Sequence, residues 1–63
     1  MKDEDLILKI KMMKAKGIIK NYYEVSKEIG LTEKSFYNWL GGYYKLGYTK
    51  KQNLINYIKE NDL

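Results

Sequence analysis

Gly30 constrains this chain more than any other residue. It stands between two short segments with helical apolar spacing, each opened by a polar residue suited to capping a helix. The first opens at Asn21 with Glu24 three positions on, the pattern of a capping box, and the second opens at Thr32. Two short helices joined by so few residues must turn sharply, and glycine takes the positive φ of such a turn without a Cβ penalty. Close approach of the helices asks for a small side chain, and Ser26 stands four residues before the glycine. Val25, Ile29, Leu31, Phe36 and Trp39 fall at facing positions and can fill the space between. A second helix is thus expected over about Tyr22 to Ile29. A third follows over about Glu33 to Leu40, with Phe36, Trp39 and Leu40 inward and Gly41-Gly42 ending it.

The flanking segments are also helical in pattern. Asp3 to Lys16 begins with three acidic residues and ends with Lys14 and Lys16, charges that suit the two ends of a helix dipole, and Gly17 can stop it in a left-handed conformation. Leu6, Ile10 and Met13 make one apolar stripe, with Ile7 at its margin, and Leu8, Met12 and Ala15 make a second on roughly the opposite side. One stripe is enough for a core, so the second implies cover on both faces or a partner. Tyr43 to Tyr48 reads as a connection. Thr49-Lys50-Lys51-Gln52 reads as another capping box, opening a fourth helix to about Asn61 whose apolar face is Leu54, Ile55, Tyr57 and Ile58. Four helices on short connections predict an all-α fold, with residues 1–63 as a single domain.

With 63 residues, no cysteine and no histidine, neither disulfides nor the usual thiolate and imidazole zinc ligands can supplement so small a core. The same absences, with no glycine-rich phosphate loop and carboxylates that fall at helix starts or on outer faces, argue against an enzyme and against a bound cofactor or metal. No apolar run approaches the ~20 residues of a membrane span, and no cleavable signal pattern follows the acidic N-terminus, so a soluble cytoplasmic protein is expected. The net charge of +4 is +5 over residues 1–51 and −1 over the last twelve, a balance suited to phosphate contact. Arginine is absent.

From Asn21 to Gly41 the chain resembles the helix-turn-helix of phage repressor and Cro-type regulators, in the polar cap, the small residue, the central glycine, the apolar positions and the Trp39-Leu40-Gly41 ending. It departs from them in the tyrosine-rich connection and in lacking a fifth helix. The resemblance implies a small four-helix, lambda-repressor-like domain with its motif at 22–41. It further implies a homodimeric transcriptional regulator that binds double-stranded DNA through the major groove. The third helix is then the recognition helix, with Thr32, Glu33, Lys34, Ser35, Tyr37 and Asn38 facing base edges. Asn38 suits the N6/N7 edge of adenine, Lys34 suits guanine or a phosphate, and Tyr37 suits a thymine methyl or a phosphate. Glu33 equally serves as a first-turn charge, and Lys20 and Lys27 are either phosphate contacts or solvated surface. Without Arg the bidentate guanine contact is missing, so the expected site leans to AT and binding depends steeply on salt.

Seven tyrosines in so short a chain are the feature least absorbed by this reading. Tyr22, Tyr23, Tyr43, Tyr44 and Tyr48 cannot all be buried. They roof the core, reach phosphates, or offer a surface to a protein partner, with Tyr43, Tyr44 and Tyr48 the candidates for the last. A protein-interaction module on the same fold (an antirepressor, a nuclease inhibitor or a recombination adaptor) is therefore the alternative function. The dimer surface is either Leu8/Met12/Ala15 or the Tyr43–Tyr48 connection with the last helix.

Overall fold

The computed structural model describes residues 2–61, and Met1, Asp62 and Leu63 lie outside the described residues. It is all-helical among them, with α1 (Asp3–Ala15), α2 (Tyr22–Ile29), α3 (Glu33–Leu40) and α4 (Tyr48–Asn61). The local signals explain most of these boundaries. Asn21 is extended, and its side chain accepts a hydrogen bond from the Glu24 N–H at 3.0 Å, satisfying one of the free donors at the start of α2. Thr32 does the same for α3, accepting from the Ser35 N–H at 3.2 Å.

Gly30 ends α2 with φ +83°. Its N–H returns to the Lys27 carbonyl, and the Leu31 N–H returns to the Ser26 carbonyl at 2.9 Å. This pair of bonds absorbs carbonyls that the helix leaves free, and it turns the chain so that α3 can begin three residues later. The same pair of bonds closes α1 and α3, where Ile18 reaches back to Met13 and Tyr43 to Asn38.

The core comprises Leu6, Ile10 and Met13 of α1, Ile19, Val25 and Ile29, Phe36, Trp39 and Leu40 of α3, and Leu54 and Ile58 of α4. The expected inward stripes of α1, α2 and α3 are therefore the buried ones. α2 packs against both α3 and α4. Ser26 is buried, with its hydroxyl donating to the Tyr23 carbonyl at 2.7 Å, and among the described residues no buried side-chain nitrogen or oxygen is left unpaired. α4 is further tied to the end of α2 by Asn53, whose amide donates to the Ile29 carbonyl at 3.4 Å. Lys50 lies over Gly30, where its ammonium faces the negative end of the α2 dipole.

The start of α4 departs from the sequence expectation, and two further details refine it. α4 starts at Tyr48, so Thr49 lies inside its first turn and not at the cap; the first turn is closed by the Lys51 N–H on the Gly47 carbonyl at 2.9 Å. Tyr48 consequently belongs to α4 and not to the connection before it. Of the predicted apolar face of α4, Leu54 and Ile58 are buried while Ile55 and Tyr57 are half-buried against the core. Ile19, which has no place in a helical stripe, is buried because the turn at Gly17 folds it back under α1, with its N–H on the Met13 carbonyl. Among the described residues no helix is long and apolar enough to cross a membrane.

Candidate nucleic-acid interface

The turn at Gly30 and the cap at Thr32 set which side of α3 looks outward. With Phe36, Trp39 and Leu40 in the core, the exposed positions of α3 are Glu33, Lys34, Tyr37 and Asn38. They follow an i, i+1, i+4, i+5 spacing and so form one continuous strip along the helix. Thr32 and Ser35 belong to its N-terminal end in a different way. Thr32 is exposed, Ser35 is half-buried, and the Thr32 hydroxyl donates to the Ser35 hydroxyl at 2.9 Å while capping the helix. Their side chains are committed to the start of α3, while the Ser35 hydroxyl keeps its own O–H donor and each oxygen a spare lone pair for a ligand. Glu33 lies in the first turn, where its charge favours the helix dipole.

Tyr37 is exposed on one side and braced on the other. Its ring meets Tyr22 edge-on at a centroid distance of 5.8 Å, and Tyr22 in turn packs on Phe36 at 5.8 Å. The Lys14 ammonium sits 5.7 Å from the centre of the Tyr22 ring. An aromatic shelf thus runs from the core through Tyr22 to Tyr37, and it restricts the directions in which Tyr37 can point. The sequence placed Tyr22 among the unassigned tyrosines, and only the packing of α2 on α3 reveals this role.

Lys20 is exposed in the connection between α1 and α2. Lys27 is exposed too, but it lines a shallow groove between α2 and α4 with Glu24, Glu28, Tyr57 and Asn61, and no α3 residue lines that groove. The Tyr57 hydroxyl there is pushed above its ordinary pKa of 10.0, first by burial and then by the charges of Glu24 and Glu28. With two carboxylates to one ammonium, this groove is unfavourable for a phosphate. Lys27 therefore stands apart from the other predicted contacts.

Trp39, wholly buried, donates its indole N–H to Asp3 at 3.3 Å, and Asp3 also pairs with Lys51 at 3.1 Å. The base of α3 is thereby fastened to the start of α1 and the first turn of α4.

Comparison with protein-family models, curated proteins and solved structures found no match. The site must be read from its own geometry.

Of the tyrosines left open, Tyr22 is half-buried, while Tyr23, Tyr43, Tyr44 and Tyr48 are exposed. Tyr43 and Tyr48 reach 85% and 79% exposure, so they do not roof the core. Tyr43 lies against Gly41, where an added Cβ would stand 3.1 Å from its ring. Among the described residues no group of three or more acidic side chains is placed to hold a metal ion.

Proposed function

We propose that this chain is a sequence-specific double-stranded DNA-binding protein, a small phage or mobile-element transcriptional regulator of the repressor/Cro type, and not an enzyme. In this reading α2, the Gly30 turn and α3 are a helix-turn-helix, and α3 lies in the major groove. The observation that carries it is the exposed strip of Glu33, Lys34, Tyr37 and Asn38, opened by the Thr32 cap and backed by a fully buried Phe36 and Trp39. A helix whose outward edge offers an amide, an ammonium and an aromatic ring has the donors, acceptors and apolar contact that base edges require.

Asn38 is assigned to the N6/N7 edge of an adenine. Lys34, near the helix start, is assigned to guanine N7/O6 or a phosphate, and Tyr37, steadied by Tyr22, to a thymine methyl or a phosphate. Thr32 and Ser35 contribute through the positioned N-terminus of α3, and Lys20 adds a phosphate contact. Lys27, beside two carboxylates, is the weakest of the assigned contacts. The protein acts in the cytoplasm as a homodimer on two half-sites about one helical turn apart, and the absence of Arg biases those sites to AT pairs.

Selection from a random duplex pool across a salt series tests the reading. The expected result is a short, two-fold-related, AT-leaning motif whose affinity falls steeply with salt. Asn38→Ala is expected to flatten the preference at one base pair per half-site by about 1–3 kcal/mol while leaving the others intact. An Asn38→Ala profile superimposable on the wild type removes that assignment. Complete lack of binding at low salt favours the protein-interaction module, for which the near-complete exposure of Tyr43 and Tyr48 is the supporting observation.

A further inference from the structure

We propose that Lys14 of α1 and Tyr37 of α3, held together through the ring of Tyr22, grip the sugar–phosphate backbone of one DNA strand, so that Tyr37 is a phosphate contact and not a base reader. This assignment rests on the DNA-binding reading above and narrows the two ligands open to Tyr37 there to one. With Phe36, Trp39 and Leu40 buried, a turn of about 100° per residue puts Lys34 and Asn38 within about 30° of the line opposite the core. Tyr37 lies about 70° from that line, on the flank that faces α2, where its ring meets Tyr22 edge-on at 5.8 Å. A helix seated in the major groove sets its outermost ridge against base edges and its flanks against the groove walls, which are phosphate and sugar. Lys34 and Asn38 hold the ridge, and Tyr37 holds a flank.

The charges around that flank select an anion. The Lys14 ammonium, on a half-buried side chain in the last turn of α1, sits 5.7 Å from the centre of the same Tyr22 ring. Tyr22 is itself half-buried against Phe36 at 5.8 Å, and the Asn21 cap fixes the backbone on which it stands. Lys14 and Tyr37 are thus both anchored to one ring. Lys20, exposed and two residues before Tyr22 in the chain, supplies a further ammonium. Most carboxylates lie elsewhere. Glu24 and Glu28 line the groove between α2 and α4, and Asp3, Glu4 and Asp5 stand at the far end of α1, about 13 Å or more along its axis from Lys14. Glu33 is the exception, one turn before Tyr37 on the same flank. Two ammoniums against one carboxylate leave a positive balance, and the phenol hydroxyl adds a neutral donor for a phosphate oxygen. A thymine methyl would meet the Tyr37 ring alone and offers nothing to an ammonium.

Equilibrium binding of the full chain to its selected site and to an unrelated duplex, across a salt series, tests this with Lys14→Gln and Tyr37→Phe, neither of which removes a core side chain. Lys14→Gln should weaken both duplexes alike, about three- to tenfold, and lower the slope of log affinity against log salt by about 1. Tyr37→Phe, which keeps the ring and loses only the hydroxyl, should weaken both about tenfold and leave the selected motif unchanged. Tyr22 acts as a positioning residue, so Tyr22→Leu should show the same uniform loss, while Tyr22→Phe, which keeps the ring, should bind like the wild type. Tyr37→Phe with wild-type affinity, or a Tyr37→Ala motif altered at one base pair, overturns the proposal in favour of the thymine methyl. A wild-type salt slope in Lys14→Gln overturns it as well. Those results leave the wild type selecting its motif, whereas a wild type that binds no duplex overturns the DNA-binding reading and this assignment with it.

Discussion

At Asp3 one carboxylate holds three parts of the chain. It accepts from the Trp39 indole at 3.3 Å and pairs with Lys51 at 3.1 Å. Burial pushes its pKa up, but the Lys51 hydrogen bond and charge, the Trp39 N–H and the Leu46 backbone together outweigh burial, and the carboxyl stays below its ordinary 3.8. Because the folded pKa is the lower one, the stabilisation is complete above that ordinary value and is lost as pH falls through the folded value. Both side chains of the ion pair are 28% exposed, so solvent screening limits the contribution to about 0.5–1 kcal/mol. Asp3→Asn keeps an acceptor for the indole but removes the charge. It is expected to lower the melting temperature at pH 7 by some 2–8 °C. The gap from the wild type should close as pH falls below the ordinary Asp value of 3.8. Trp39, the single tryptophan, reports the change by fluorescence. A variant that melts with the same pH profile as the wild type would show that the clamp contributes nothing.

At the scale of elements the decisive residue is Gly30. Two effects oppose a side chain there: a left-handed backbone at φ +83°, and the Lys50 ammonium 2.7 Å from where a Cβ would stand. The backbone effect costs about 1–2 kcal/mol for an L-residue, whereas Lys50 is the far end of a flexible chain and can swing away. Gly42, at φ +85° with nothing within 4 Å, isolates the backbone effect. Gly30→Ala and Gly42→Ala are therefore expected to lose similar stability in urea titrations, and Gly30→Asn less, since asparagine tolerates this conformation. A Gly30→Ala loss rescued by Lys50→Ala would instead assign the cost to the clash. Such stops are local, and that is why α1, α2 and α3 can be read from sequence to within a residue. The start of α4 cannot, because Thr49 resembles a cap while the backbone of Gly47 closes the turn two residues earlier. The outward strip of α3 was legible for the same reason: once Phe36 and Trp39 face inward, the period places Lys34, Tyr37 and Asn38 outside. Three features were hidden because each depends on residues distant in sequence. They are the hydrogen bond joining Asp3 and Trp39, the bracing of Tyr37 by Tyr22, and the placing of Tyr57 and Asn61 of α4 beside Lys27.

For the whole molecule the governing fact is how little core there is. The radius of gyration is 10.4 Å, against about 10.6 Å expected for a well-packed chain of this length, so packing is already native-like and leaves little slack to gain. A single core of this size supplies rarely more than about 3–5 kcal/mol of net stability. α4 contributes two buried side chains, Leu54 and Ile58, and of these Leu54 is the fully buried one. Truncating such a leucine to alanine removes about 2–5 kcal/mol, which spans the whole margin. Leu54→Ala is therefore expected to lose half or more of its helical circular dichroism at 25 °C and to refold in an excluded osmolyte such as trimethylamine N-oxide. Ile58→Val, at a less enclosed site and losing one methyl, should cost about 0.5–1.5 kcal/mol and stay folded. The contrast depends on α4 being part of the one cooperative unit that positions α3. If Leu54→Ala melts within a few degrees of the wild type, α4 is not essential to that unit. The Lys50, Asn53 and Lys51 contacts that fasten it to α2 and Asp3 would then be decoration on a three-helix core.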